Sequence, residues 1–145
     1  MTEQSSDLAA GAGDSDHTRR LDFELPARPT AIRAARDALL ADERALPRSV
    51  LDDVLLLLTE LVTNAIRHVQ AGAERAVRVE FRHRARTVKV AVFDEGNGFA
   101  AETPRLKRDE SGGWGLLLVD RIADRWAITP TASGTCAWFE IRRQQ

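Results

Sequence analysis

Glu60, Asn64 and His68 stand four residues apart in Glu60-Leu-Val-Thr-Asn64-Ala-Ile-Arg-His68, so in a helix they share one face. That face runs between apolar stripes, where an unused carboxylate is expensive. A carboxylate one turn before an amide suits proton and metal chemistry together. Asn64 offers a hard amide oxygen to magnesium, which takes few protein ligands and keeps phosphates and waters. Glu60 would then accept the proton of an incoming hydroxyl, or polarise a water, in phosphoryl transfer. A plainer use also fits the spacing: Glu60 paired with an arginine and Asn64 in a buried hydrogen bond. His68 reads as a hydrogen-bonding residue at the helix end.

Two glycine-bearing segments follow. Asp94-Glu-Gly96-Asn-Gly98 comes straight after a run of alternating valines, so Asp94 closes a strand at the edge of a pocket. Its oxygens suit the exocyclic amine of adenine, and Gly96 and Gly98 permit close backbone approach to a base. An ordinary Asp-x-Gly turn has the same composition. Gly113-Trp-Gly115-Leu116 then opens a helical run, where free N–H groups and the helix dipole favour phosphate. Each signal is weak alone; their order, and the elements they sit on, make the combination specific.

The elements that must position these residues are legible in the periodicity. Leu21, Phe23 and Leu25 alternate with Asp22 and Glu24, a strand with one buried face that Pro26 stops. Pro29 and Thr30 open a helix with Ala31, Ile32, Ala35 and Leu39 on its apolar side, leaving Arg33, Arg36 and Asp37 for water or a partner. Ser49 is a good N-cap for a second helix, with Asp52 completing a near capping box. Val50, Val54, Leu58, Leu61, Ala65 and Val69 mark its core stripe, which Leu56 and Leu57 broaden, and Gly72 is a suitable stop. Val77, Val79 and Phe81, then Val88, Val90 and Val92, alternate on the two arms of a hairpin turned at His83 to Arg86. Phe99 to Ser111 is polar and lacks strong periodicity, as a mobile loop would. Gly115 to Ala123 is helical, and Arg125–Thr129 with Thr135–Arg142 form a closing hairpin around Pro130 to Gly134. The implied fold class is α+β, a two-layer sandwich with helices on one face of a mixed, mostly antiparallel sheet.

The chain has 145 residues, enough for one sizeable core. Residues 1–20 read as a disordered tail, Ser-, Ala-, Gly- and Asp-rich up to His17, and 21–143 as one domain. A net charge of -1 gives no reason to expect nucleic acid, and the arginines around Arg78 to Arg86 read as the solvated face of the hairpin. With Cys136 the sole cysteine, no intramolecular disulfide can form. No apolar run approaches the roughly twenty residues of a membrane span, and no signal pattern opens the chain, so the expectation is cytoplasmic.

From Leu21 to Arg142 the sequence resembles the ATP-binding domain of the gyrase, heat-shock-chaperone, histidine-kinase and mismatch-repair ATPase superfamily. Glu60 to His68 is similar to its asparagine-box helix, Asp94 to Gly98 to its first glycine box, and Gly113 to Leu116 to its second. Leu118-Val-Asp-Arg-Ile-Ala-Asp-Arg-Trp126 and Gly134-Thr-Cys-Ala-Trp-Phe-Glu140 resemble the bacterial anti-sigma-factor serine/threonine kinases in particular. That resemblance implies ATP and Mg2+ as cofactors, with Glu60 as catalytic base and Asn64 as metal ligand. It further implies that Asp94 reads adenine, that Thr135 supports that contact, and that Gly96, Gly98, Gly113, Gly115 and Leu116 enclose the nucleotide. Phe99 to Ser111 would be the lid, with Arg105, Lys107 or Arg108 on phosphate. Trp114 departs from the pattern, which usually has smaller or basic residues there.

The implied function is a Mg-ATP-dependent kinase that phosphorylates a small anti-anti-sigma protein, holds a sigma factor and forms a homodimer. It would act without touching nucleic acid or membrane. Its alternative is an ATP-binding module that sequesters a sigma factor or antagonist without transferring phosphate. Retention of both Glu60 and Asn64 favours the kinase.

Overall fold

The alternating apolar runs become five strands, and the periodic runs become three helices that cover one side of them. The computed structural model describes residues 18–41, 46–68, 75–95 and 115–143. In chain order these form β1 (Arg19–Pro26), α1 (Thr30–Leu40), α2 (Arg48–His68), β2 (Ala76–Arg84), β3 (Thr87–Asp94), α3 (Gly115–Ile122), β4 (Arg125–Pro130) and β5 (Thr135–Arg142). The sheet order is β1-β2-β3-β5-β4, and each of the four pairings is antiparallel. The expected two-layer α+β architecture is therefore present, and among the described strands the sheet is antiparallel throughout rather than mixed.

Period-two alternation decides which face is buried. Val77, Val79 and Phe81 of β2, Val88, Val90 and Val92 of β3, and Phe139 and Ile141 of β5 all turn inward. Against them α2 brings Val54, Leu57, Leu58, Leu61 and Val62. Each such side chain contributes roughly 2 kcal/mol through removal from water. The α1 stripe Ala31, Ala35 and Leu39 packs into the same core, as its i, i+4, i+8 spacing requires. α2 lies across β2, β3 and β5, while α1 packs on β1 and α3 on β4.

Four local readings are corrected. β1 takes in Arg19 and Arg20, assigned to the tail from sequence, because they continue the ladder opposite His83 and Arg82. α2 begins at Arg48 rather than after a Ser49 cap, with the Pro47 carbonyl accepting from the amides of both Val50 and Leu51. Leu57 is fully buried, but Leu56 is 37% exposed and broadens no core face, since it projects on the side of α2 away from the sheet. Arg36, expected in water or against a partner, turns toward α2. Residues 1–17, Gly72 and the Phe99–Ser111 loop lie outside the described residues. Among the described residues, no helix is long and apolar enough to cross a membrane.

The β2–β3 turn is tighter than the sequence suggested. Arg84 pairs with Thr87, so only Ala85 and Arg86 make the loop, and Ala85 takes a φ of 43°. Two-residue hairpin loops need positive φ to match the strand twist, and a Cβ there is strained by about 1 kcal/mol. Ala85→Gly relieves that strain but loosens the unfolded chain, so a net gain of roughly 0.5 kcal/mol is expected. A urea titration checks it: the midpoint rises while the slope stays constant.

Candidate functional site

Strand register brings two of the candidate residues together. Asp94 ends β3 and Thr135 begins β5, and the two are direct cross-strand partners. Parity places both on the inward face with Val92, Val77 and Phe139, the side that α2 covers. Asp94 is 7% exposed and Thr135 3%; they are the two buried polar residues among the described ones. A polar pair at the end of an otherwise apolar sheet face is costly unless it is used.

The loop before Thr135 determines how Asp94 is held. Gly134 is buried, and a Cβ built on it would fall 1.9 Å from the Asp94 carbonyl oxygen and 2.9 Å from the Glu95 Cα. Only a residue without a side chain lets these backbones approach so closely. Pro130 pairs with Thr135, and the Thr131 amide donates to the Gly134 carbonyl at 2.8 Å, closing the turn. On the other side, an Arg75 guanidinium N–H donates to the Glu95 carbonyl. The chain is thus gripped from two directions where it leaves β3. Sequence reasoning missed Gly134 as a site residue, because nothing local shows which backbone lies across from it.

α2 supplies the second half. Glu60 and Asn64 are both half-buried, one turn apart, on the helix that spans β2, β3 and β5. Thr59 and Thr63 form a polar seam beside them. The Thr63 hydroxyl donates to the Thr59 carbonyl at 2.7 Å, and the Thr59 hydroxyl donates to the Leu55 carbonyl at 2.8 Å. The Arg36 guanidinium crosses from α1 and donates to the Thr59 hydroxyl at 3.0 Å. This bond ties α1 to the turn carrying Glu60, which is why Arg36 is not left to solvent. The threonines at i and i+4 were its only sequence signal.

α3 completes the described part. It begins at Gly115, the half-buried Leu116 follows, and α3 packs on α2. Gly96, Gly98, Gly113 and Trp114 lie outside the described residues. No group of three His, Cys, Asp or Glu side chains capable of holding a metal occurs among the described residues. A single amide oxygen on α2, with phosphate oxygens as the other ligands, fits magnesium better than zinc or calcium.

Comparison with known proteins agrees with this geometry. The profile of the histidine kinase-like ATPase domain family matches residues 25–141. The serine-protein kinase RsbW of Listeria innocua is 24% identical, over 72% of this chain and 76% of that protein. Among solved structures, that of the RsbU and RsbW domains of Rv1364c from Mycobacterium tuberculosis superposes with a TM-score of 0.58 at 25% identity. The match covers 86% of this chain but 32% of the mycobacterial one.

Proposed function

The chain belongs to the histidine kinase-like ATPase domain family, and from that membership we propose that it binds Mg-ATP and phosphorylates a serine or threonine of a small regulatory protein. The observation that carries this reading is the placing of the Asp94–Thr135 pair on the sheet face covered by the helix that bears Glu60 and Asn64. Residues 21–143 would form the ATP-binding domain. The substrate would be an anti-anti-sigma protein and a sigma factor the second partner, held by a homodimer in the cytoplasm. The similarity to a serine-protein kinase supports the transfer step.

In this mechanism the Asp94 carboxylate accepts a hydrogen bond from the adenine amine, and the Thr135 hydroxyl beside it fixes the carboxylate's orientation. Burial of both strengthens the contact by excluding water. The Asn64 amide oxygen would be the protein's ligand to magnesium, which when bound draws charge from the β- and γ-phosphates. Glu60, one turn away, accepts the proton of the attacking hydroxyl as its oxygen meets the γ-phosphorus and the bond to the β-phosphate bridging oxygen breaks. Gly113, Gly115 and Leu116 would flank the phosphates at the start of α3, and Gly96 and Gly98 the base.

Adenine recognition is the first point to test. Asp94→Asn keeps the shape but replaces one acceptor oxygen with a donor, so ATP affinity should fall about tenfold, the worth of one charge-assisted hydrogen bond. Calorimetry with ATP, ADP and GTP in the presence of magnesium measures it, with adenine nucleotides preferred by the wild type. Wild-type protein that takes up no adenine nucleotide at millimolar concentration would remove the site assignment altogether.

A further inference from the structure

α2 is softened at the turn that carries the candidate base. The Thr59 hydroxyl donates back to the Leu55 carbonyl at 2.8 Å, and the Thr63 hydroxyl to the Thr59 carbonyl at 2.7 Å. Hydroxyls bonded back four residues compete for helix carbonyls, which slightly destabilises a helix and lets it bend. Two such bonds in succession flank Glu60, and Asn64 follows the second.

Arg36 stands across this seam. Its Nη1 donates to the Thr59 hydroxyl at 3.0 Å and to the Leu55 carbonyl at 3.4 Å. One guanidinium nitrogen therefore holds both ends of the first back-bond, and the Thr59 hydroxyl is used as donor and as acceptor at once. Arg36 rises from a firm base, since Ala35 beside it is fully buried and Ala31 and Leu39 anchor the same stripe of α1 in the core. Its neighbours Arg33 and Asp37 pair with each other in solvent at 3.8 Å, while Arg36 turns to two neutral oxygens of α2. A half-buried cation directed at neutral oxygens is a poorer source of stability than apolar packing of the same volume. What it supplies is direction: it fixes where this turn of α2 lies.

Placement matters more for Glu60 than for groups that only bind. A base must reach its proton within hydrogen-bond distance in the transition state, and a shift of about 1 Å can lower the rate by roughly a hundredfold. The nucleotide would be held from the sheet, by Asp94 and Thr135, whereas Glu60 comes from the helix layer. α1 packs on both α2 and β1, so the bond from Arg36 refers the Glu60 turn back to the sheet.

We propose, on the reading of Glu60 as the base, that Arg36 is a positioning residue for phosphoryl transfer. Through the Thr59 hydroxyl it sets the α2 turn that bears Glu60, without touching nucleotide or substrate.

Arg36→Met keeps the apolar stem and removes the donors. Thr59→Val removes the hydroxyl at nearly constant shape, and Thr59→Ser retains it. With ATP and antagonist protein both saturating, Arg36→Met and Thr59→Val should each slow single-turnover transfer about tenfold. ATP affinity by calorimetry should stay within about twofold, the pattern of a loss felt only in the transition state. The double variant should be no slower than either single one, because both break one contact, and Thr59→Ser should transfer within about twofold of wild type. Added to Glu60→Gln, Arg36→Met should slow transfer no further, since no base is left to place. A loss that persists in the Glu60→Gln background marks a merely structural role and overturns the proposal, as does an Arg36→Met rate equal to wild type. A loss confined to affinity for the antagonist also overturns it, by making Arg36 a docking residue.

A second readout needs no transfer. In Arg36→Met, hydrogen exchange at the Thr63 and Asn64 amides should quicken about tenfold relative to Val90 and Val92 of β3, which report opening of the sheet. Equal quickening in both sets overturns the proposed hold on the turn. Wild-type protein that binds ATP yet phosphorylates no antagonist removes the base and the positioning role together. Exchange then tells the two failures apart: a local change leaves the α1–α2 hold standing without its catalytic use, and no local change removes both.

Discussion

Glu60→Gln should leave ATP affinity within about threefold of wild type and slow phosphate transfer by roughly a hundredfold or more, the usual loss for a positioned general base. The change is nearly isosteric and keeps one oxygen, so the packing of α2 is preserved. The Arg36–Thr59 bond holding that turn involves neither Glu60 oxygen and remains in place. In the proposed mechanism ground-state ATP binding would rest on Asp94, Thr135 and Asn64 instead. In that mechanism only the step in which a hydroxyl loses its proton would depend on a carboxylate at position 60. Asn64→Ala is the contrast: removing the amide oxygen should lower magnesium-dependent binding and transfer together. Single-turnover transfer to a candidate antagonist protein, alongside calorimetry with ATP, separates the two. A Glu60→Gln protein that transfers at the wild-type rate would exclude Glu60 as the base. Wild-type protein that binds ATP yet transfers phosphate to no antagonist would favour a module that only holds its partners.

Gly134→Ala should be the most damaging single-methyl change in the described structure. The new Cβ would lie 1.9 Å from the Asp94 carbonyl oxygen, whereas ordinary contact begins at 3.4 Å. No flexible side chain can yield, because the opposing atoms are backbone. Either the Asp94–Glu95 segment or the 131–134 turn must retreat by more than an ångström, breaking the start of the β3–β5 ladder. Overpacking against rigid backbone costs about 3 kcal/mol. The displaced residue is the one proposed to read adenine, so affinity for ATP should fall at least about tenfold as well, a further loss of roughly 1.4 kcal/mol in binding. Ser133→Ala, at an exposed neighbour in the same turn, is the control and should stay within about 0.5 kcal/mol of wild type. Chemical denaturation and ATP calorimetry on both variants decide it. An unchanged unfolding midpoint for Gly134→Ala would mean that the turn accommodates a side chain and does not constrain Asp94.

Asp94→Asn and Gly134→Ala attack the same proposed contact from opposite sides, one by its chemistry and one by its position. The first should weaken binding with little change in stability, and the second should lower both. That difference separates a residue that touches the nucleotide from one that places it.

What the sequence determined by itself is what depends on neighbours a few residues away. The α2 stripe of Val54, Leu58, Leu61 and Ala65, the alternating valines of β2 and β3, and the placing of Glu60 one turn before Asn64 all follow from the periods of helix and strand. So do the order of the asparagine helix and the two glycine segments, and through them the family. Tertiary structure decided what lies across from what. Asp94 and Thr135 are 41 positions apart in the chain, and only the β3–β5 register makes them partners. The same register puts Gly134 against the Asp94 carbonyl and lines the outer face with cations around Trp138. Arg36 looked like a solvent residue because helical period alone cannot show that α1 rests on Thr59. Leu56 looked like core because an apolar side chain does not reveal where the neighbouring layer ends. Local periodicity is written into each segment by backbone geometry, whereas register and layer contacts are settled by burial summed over the whole sheet.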